Sequence, residues 1–539
     1  MNEKIFAVGT IFESDTVYRA DRAVYDIYPS DSFEEIPCWW TFLNSGNIPL
    51  RAAFVLRGLK NVTIDLGSAK LLFHGRIMPF ALYGCENVTL SNFSIDYDRP
   101  FYTQGTVVGY EAGSVDIEIP ELFRYRIEGR DFIALSDTWE HRLITGDMLL
   151  RCMDAETGKP SRHSGVILGL IGGEIFPRPN PPLPIHHLYA EDLGGRRVRI
   201  SGLPDFFVPR AGEILAMTHE DRRKTGFLLE HCADTSIRNV RLMHIGAMGI
   251  TAGMCHNISL DDYSMYMDES TPDRIISINA DSFHCYHCTG LMKIENCRFE
   301  SMLDDAINIH GNYLVVTGSD SDGRRVMAQN RCAGLLRMEF LAPGDEAYIY
   351  RGSTQELRCS GIVESAEYTD DKGHVDIAVT FRDGLNTLPQ PGDIIENRRM
   401  PEIEVRNCRM KCSGGFRISS GKRVLIEDCD FETSSFAVLF SGDMNYWYEN
   451  GPVKDVTIRG CRFRDCGSVI STACGFTPTE AAPYYHENIR FIGNDVCSSR
   501  GGVISLSDVR GFKYRGNRIN GVSLDELLSL TRCADVCIS

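Results

Sequence analysis

Asn279-Ala280-Asp281-Ser282-Phe283-His284 precedes Asp304-Asp305-Ala306-Ile307-Asn308-Ile309-His310-Gly311, with 23 residues between Asp281 and Asp304. Crowded carboxylates repel, and proteins collect such repulsion where one group must hold a proton while another stays ionised. Hydrolysis of a glycoside has that requirement. It needs an acid for the leaving oxygen and a second carboxylate as base for water or as nucleophile. Asp281, Asp304 and Asp305 are therefore the candidate catalytic residues. Turn-capping aspartates would account for any one of them alone. His284, His310 and Asn308 are candidates to bind sugar hydroxyls, and the two histidines also to orient a carboxylate. A satisfied core histidine is the plain alternative.

Phe73-His74-Gly75-Arg76 and Asp96-Tyr97-Asp98-Arg99-Pro100-Phe101 together put aromatic, acidic and Arg side chains on two successive coils, and Asp443-Met444-Asn445-Tyr446-Trp447-Tyr448-Glu449 adds an aromatic-acidic loop, a composition that suits sugars. They add His74, Arg76, Asp98, Arg99, Asp443, Trp447 and Glu449 as candidate substrate contacts. Arg-Pro and Trp loops also serve as ordinary edge covers. Cys285-Tyr286-His287-Cys288 has the CxxC spacing of a metal or redox motif, but no second CxxC accompanies it. No Gly-rich phosphate loop, HExxH or GxSxG occurs. The expectation is a site with no metal and no cofactor.

The aspartates meet only if 23 residues make one structural repeat. The chain supports such a period. Asn-apolar-polar-apolar segments recur at Asn61-Val62-Thr63-Ile64, Asn87-Val88-Thr89-Leu90, Asn239-Val240-Arg241-Leu242 and Asn257-Ile258-Ser259-Leu260. A second marker, polar-Cys-x-apolar, recurs at Asn296-Cys297-Arg298-Phe299, Asn407-Cys408-Arg409-Met410, Asp428-Cys429-Asp430-Phe431 and Gly460-Cys461-Arg462-Phe463. Alternation inside short strands, repeated at roughly 21–26 residues, predicts an all-β, right-handed parallel β-helix with inward cysteines stacked in a ladder. Asn suits the bends because it tolerates left-handed backbone. The Asn-x-Thr matches at Asn61 and Asn87 read as turn-then-strand signals, not glycosylation sites.

The period lapses twice. Residues 101–225 and 313–398 show longer alternating strands with hairpin turns such as Asp370-Asp371-Lys372-Gly373-His374, and both end on a turn–acid–apolar pattern, Ala211-Gly212-Glu213-Ile214 and Pro391-Gly392-Asp393-Ile394. They read as two β-rich, barrel-like insertions. The expected layout is a cap and first coils over 1–100, an insertion over 101–225, and central coils with the carboxylates over 226–312. A second insertion over 313–398 and last coils over 399–539 follow. Ser523–Leu530 reads as a short amphipathic capping helix.

Composition narrows the partners. Across 539 residues, 56 Lys+Arg against 73 Asp+Glu give a net charge of −17, so neither nucleic acid nor an anionic membrane is an expected partner. No apolar run approaches the ~18 residues of a membrane span. Nineteen cysteines, an odd number without compact spacing, fit reduced buried thiols rather than a disulfide framework. With no secretory signal visible, a cytoplasmic location is expected; a leader already removed would make it secreted or periplasmic.

These residues resemble glycoside hydrolase family 110. The Phe-His-Gly-Arg segment, the Ile95–Phe101 run, Asp281 one coil before Asp304-Asp305, and Ser441-Gly442-Asp443 with Trp447 carry the resemblance, which spans nearly the whole chain. It implies a parallel β-helix with β-barrel insertions and a metal-free, inverting exo-α-galactosidase that releases terminal α-1,3-linked galactose from oligosaccharides or glycans. By position Asp304 resembles the general acid, and Asp281 with Asp305 the pair that activates water. By analogy with the family, a homodimer is expected. A polygalacturonase-like hydrolase of family 28 is the alternative enzyme, although His310-Gly311 follows Asp305 sooner than that family places it. A non-catalytic carbohydrate-binding or structural β-helix is the alternative outside enzymes.

Overall fold

The computed structural model describes every residue except 32–33, 37–49, 144–147, 164–165, 170–187, 220–223, 332–338, 369–375, 445–446, 481 and 499–500. The Asp370–His374 turn, and Asn445 and Tyr446, lie outside the described residues. The chain is a right-handed parallel β-helix, its coils hydrogen-bonded into one 32-stranded sheet. Among the described residues, the column that carries the site stacks Leu50–Arg57, Met78–Tyr83, Phe227–Glu230, Ile250–Gly253, Phe283–Tyr286, Asp305–Asn312, Gly414–Ile418, Phe436–Ser441, Ser468–Ala473, Ile504–Arg515 and Leu528–Ala534.

Side-chain alternation gives each strand an inward and an outward face. Inward residues such as Phe80, Phe227, Ile250, Phe283, Ile307 and Phe416 fill one continuous core. The bends carry the asparagines. Asn61, Asn87, Asn92, Asn239, Asn257, Asn296 and Asn407 all have φ between 48° and 59°. Several bond to the coil before: Asn87 donates to Asn61, Asn239 to Asn92 and Asn407 to Asn296, each at 2.8 Å. The amide side chain satisfies a neighbouring bend while its backbone turns the corner.

The cysteines form two ladders. Cys85, Cys232, Cys255 and Cys288 stack at one corner, and Cys297, Cys408, Cys429 and Cys461 at another, all buried and unpaired. Their thiols donate to strand carbonyls, as Cys232 does to Leu82 at 3.4 Å. Burial pushes the thiols of Cys255, Cys288, Cys408 and Cys429 well above their ordinary value. Both cysteines of the CxxC segment are free, with Cys288 a rung of the first ladder. The second ladder ends where Asn494 takes the cysteine's place and accepts from the Cys461 backbone N–H at 2.9 Å.

Between Tyr102 and Thr218 the chain builds a seven-stranded antiparallel sheet and a separate three-stranded one; from Leu314 to Asn397 it closes a six-stranded antiparallel barrel. Their endings share one turn. The Glu213 carboxylate accepts from the Arg210 N–H and the Asp393 carboxylate from the Gln390 N–H, with Gly212 and Gly392 both at φ 89°. The terminal helix is shorter than expected. A Ser523–Glu526 capping box starts it, but only Leu524–Leu527 is helical, and Leu528–Ala534 pairs in parallel with Ile504–Arg515 as another strand. Ladder pairing prevails because one more helical turn would leave those backbone groups without the sheet.

The ladder geometry makes a labelling prediction. In the native protein a water-soluble thiol reagent is expected to modify exposed Cys497 and Cys537, with both ladders reacting only on unfolding. Peptide mapping of labelled cysteines reads the outcome; fast native labelling of Cys429 would contradict it.

Candidate active site

The register builds the site. Phe283 pairs with Ile307, a 24-residue offset, and that offset carries Asp281 to Asp305 on the next coil. Asp304 does not follow strand alternation because it precedes the strand, in a bend. Its neighbour Leu303 is buried in the core of the first insertion, while Ala306 is buried in the core of the helix. Anchored on both sides, the bend presents Asp304 and Asp305 in the same direction. Carboxylate oxygens of Asp281, Asp304 and Asp305 lie within 4.8 Å of one another. Asp281 and Asp305 are buried, Asp304 half-buried.

Glycine makes room for this packing. A Cβ on Gly414, the residue that pairs with Asp305 on the following coil, would lie 2.1 Å from the Asp305 Oδ1. Arg151 of the first insertion bonds the Leu303 carbonyl, and at 3.0 Å the Ser413 hydroxyl, so the insertion clamps the bend itself.

Beside the aspartates stands a second group. His284 Nδ1 is 2.6 Å from Asp281 Oδ2, and His284 Nε2 is 2.8 Å from His310 Nε2. His310 Nδ1 donates to the Gly311 carbonyl at 2.7 Å. Glu449 Oε1 is 3.5 Å from His310 Nε2, and Glu449 Oε2 is 2.8 Å from Arg417 Nε. The Oδ1 atoms of Asn308 and Asn279 are buried without a hydrogen-bond partner among the described residues.

The charges explain the ionisation. Burial pushes the Asp305 carboxyl well above its ordinary value, and Asp304 and Asp281 add to the effect against Arg417. Burial alone would raise Glu449 too, but the Arg417 guanidinium outweighs it and holds the group below the usual range. Burial takes His310 down to about 4 despite Glu449, so its ring is neutral.

The expected residues divide into two sets. His284, His310, Asn308 and Glu449 gather at the aspartates. Asp443 and Trp447 lie at the loop that delivers Glu449, where Asp443 accepts from the Trp447 N–H at 2.6 Å and donates its own N–H to the Glu449 carbonyl at 2.9 Å. The other four stand at the corner leading into the first insertion. His74 stacks on Tyr28 at 4.3 Å, between Asp98 at 3.1 Å and Asp26 at 2.8 Å. Arg76 lies over Trp139 at 5.0 Å and beside His141 at 3.0 Å. Arg99 is buried and donates to the carbonyls of Leu135, Pro100 and Tyr102 and to the Thr103 hydroxyl, which occupies its guanidinium in holding that corner. Arg417 and Gly414 were missed. They follow Asn308 and Asp305 by one coil, but the barrel puts 109 residues between Asn308 and Arg417 and hides the register.

A sign follows for Asp305. Its folded form binds a proton that the unfolded chain releases above pH ~4, so the group stabilises below that pH and the stabilisation is lost as pH rises through its raised value. Asp305→Asn is expected to melt higher than the wild type at neutral pH, with the gap closing toward pH ~4, while activity falls by ~10²-fold or more. Thermal melts across pH check it, and a lower neutral-pH melting point for the variant would contradict it.

No family model matches the chain. Among curated proteins it is 30% identical over 431 residues to an alpha-1,3-galactosidase B of Phocaeicola vulgatus, covering 77% of this chain and 68% of that protein. An alpha-1,3-galactosidase B of Bacteroides thetaiotaomicron is 29% identical over 491 residues, 87% of this chain and 75% of that one. An alpha-1,3-galactosidase A of Shewanella woodyi is 25% identical, covering 87% and 74%. Among solved structures, an exopolygalacturonase from Thermotoga maritima aligns at TM-score 0.37 and 8% identity over 97% of this chain and 84% of its own, too distant to bear on activity. Homology over most of both chains, together with a site built of three aspartates, identifies this glycoside hydrolase as a member of the alpha-1,3-galactosidase family, glycoside hydrolase family 110.

Proposed function

We propose that this galactosidase-type enzyme removes terminal α-1,3-linked galactose from oligosaccharides or glycans, with inversion at the anomeric carbon. The observation that carries the reading is the three-aspartate cluster with its asymmetric burial. Asp304 is the member with access to the open side, where the leaving oxygen of a glycoside arrives. Asp281 and Asp305 are one coil apart at equivalent positions, which suits a water held between two carboxylates. In the reaction, the one proton that Asp304 and Asp305 share sits on Asp304, which leaves Asp305 ionised, and Asp304 gives it to the glycosidic oxygen as the C1–O bond breaks. Water attacks C1 from the opposite face and loses its proton to the Asp281–Asp305 pair. Nearest oxygens within 4.8 Å are closer than the ~5–5.5 Å of retaining pairs and the ~6.5–9.5 Å of inverting ones, so spacing alone does not choose between the outcomes. The presence of a second carboxylate beside the first favours a paired base over a lone nucleophile.

Exo action draws support from enclosure. Gly311 and Asn312 pair antiparallel with Asn450 and Glu449, which walls one side, while the first insertion clamps the bend on the other. A neutral sugar is favoured over a uronic acid because Arg417, the guanidinium beside the carboxylates, is already held by Glu449. Polygalacturonate is therefore not an expected substrate.

Proton NMR of an aryl α-galactoside digest tests the outcome: β-galactose appearing first supports inversion, and α-galactose first overturns it. Asp304→Asn is expected to lose about 10²–10⁴-fold in kcat on a disaccharide but far less on an aryl galactoside whose leaving group needs no proton. Equal losses on both substrates would transfer the acid's role elsewhere, Asp305 being the next candidate.

A further inference from the structure

We infer that His284 and His310 form a fixed proton relay that positions Asp281 and neutralises its charge, rather than contacts for sugar hydroxyls. The reading rests on the proposed role of Asp281 in activating water, and hydrogen-bond bookkeeping carries it. The Gly311 carbonyl can only accept, so His310 Nδ1, at 2.7 Å, carries the hydrogen. His310 is fully buried and neutral, so its Nε2 is a bare lone pair. His284 Nε2, at 2.8 Å from that lone pair, must therefore donate. One further proton lies in the 2.6 Å contact between His284 Nδ1 and Asp281 Oδ2. It belongs either to an imidazolium beside a carboxylate or to an imidazole beside a carboxylic acid. Both descriptions give the Asp281–His284 pair no net charge.

The consequence falls on the other aspartates. With Asp281 compensated, Asp304 and Asp305 share the remaining repulsion, and a single proton between them relieves it. The relay also fixes direction. Asp281 Oδ2 faces His284, and Oδ1 accepts from the Asp305 backbone N–H at 3.2 Å, so the carboxylate is held from two sides. The charged and titratable groups facing the histidines are Asp281 before the strand, Asp304 and Asp305 on the next coil, Arg417 on the coil after, Glu449 on the antiparallel strand, and His287 behind His310. Glu449 is ion-paired with Arg417 and stands 3.5 Å from His310, so it leaves the Nε2 lone pair to His284.

Two measurements test this on the intact enzyme. Nitrogen-15 NMR of histidine-labelled protein without substrate is expected to show His310 as the Nδ1–H tautomer, with a low-field proton resonance from the Asp281–His284 contact that His284→Asn abolishes. An Nε2–H tautomer at His310 would overturn the relay whatever sugar the enzyme cleaves. In kinetics, His310→Gln offers an amide oxygen where Nε2 stood and is expected to retain kcat within about tenfold, while His310→Leu, lacking an acceptor, loses about 10²–10³-fold with KM within about threefold and a shifted pH profile. A rise in KM with kcat preserved in His310→Leu would instead make His310 a sugar contact and refute the inference. If the tautomer is as stated but no aryl α-galactoside is cleaved, the relay stands and the galactose reading fails.

Discussion

Repulsion among buried carboxylates is the constraint that this molecule is organised to withstand. Two unit charges ~4 Å apart cost about 4 kcal/mol at an effective dielectric near 20, a large part of the stability of an ordinary domain. An isolated loop would relax away from that cost. Here Asp281 lies two residues before one strand and Asp305 opens the next, in a ladder that continues for several coils on both sides, so separating them would require breaking the register of the whole column. The scaffold is rigid along the direction in which the charges push.

The two insertions then complete what the ladder begins. The first leaves at the corner before the site column and returns to clamp the Asp304 bend through Arg151 and through Leu303, which belongs to its core. The second leaves directly from the strand that carries Asp305, Asn308 and His310, and its apolar cluster takes in Tyr286 and Tyr448 from either side of the site. The clustered side chains sit on strands or on the bends that lead into them, and the enclosing walls come from the departures. This division matches the general pattern in which rigid elements position chemistry while irregular segments give selectivity.

Much of this was legible in the chain. The Asn bends and the Cys-x-apolar strands declare the coil period because each rung repeats the same steric problem, and repeated problems leave repeated residues. The carboxylate cluster was legible for the same reason: the 23 residues from Asp281 to Asp304 fall one short of the 24-residue coil. The orientation of Asp304 was not, since alternation alone turns adjacent strand residues to opposite faces, and only the burial of Leu303 in a different core re-aims it. Arg417 was illegible because the barrel interrupts the count. His74, Asp98 and Arg99 have sugar-site composition and stand at the corner leading into the first insertion, where His74 bridges Asp98 and Asp26 and Arg99 satisfies buried carbonyls. The terminal helix failed after Leu527 because a pattern of Leu spacing cannot report that an unpaired ladder edge lies alongside.

The clamp on the Asp304 bend also has a consequence in time. Coils of a β-helix join mainly to the coils just before and after them, so the solenoid can grow turn by turn as the chain lengthens. Arg151 reaches a hydroxyl 262 positions later, Lys159 a carboxylate 273 positions later, and Arg417 and Glu449 arrive only after the barrel has been made. A nascent chain therefore carries well-formed coils long before it carries a working centre. The three aspartates are brought to their final surroundings only when most of the polypeptide has emerged, and incomplete chains hold the acids without the walls that give them a substrate.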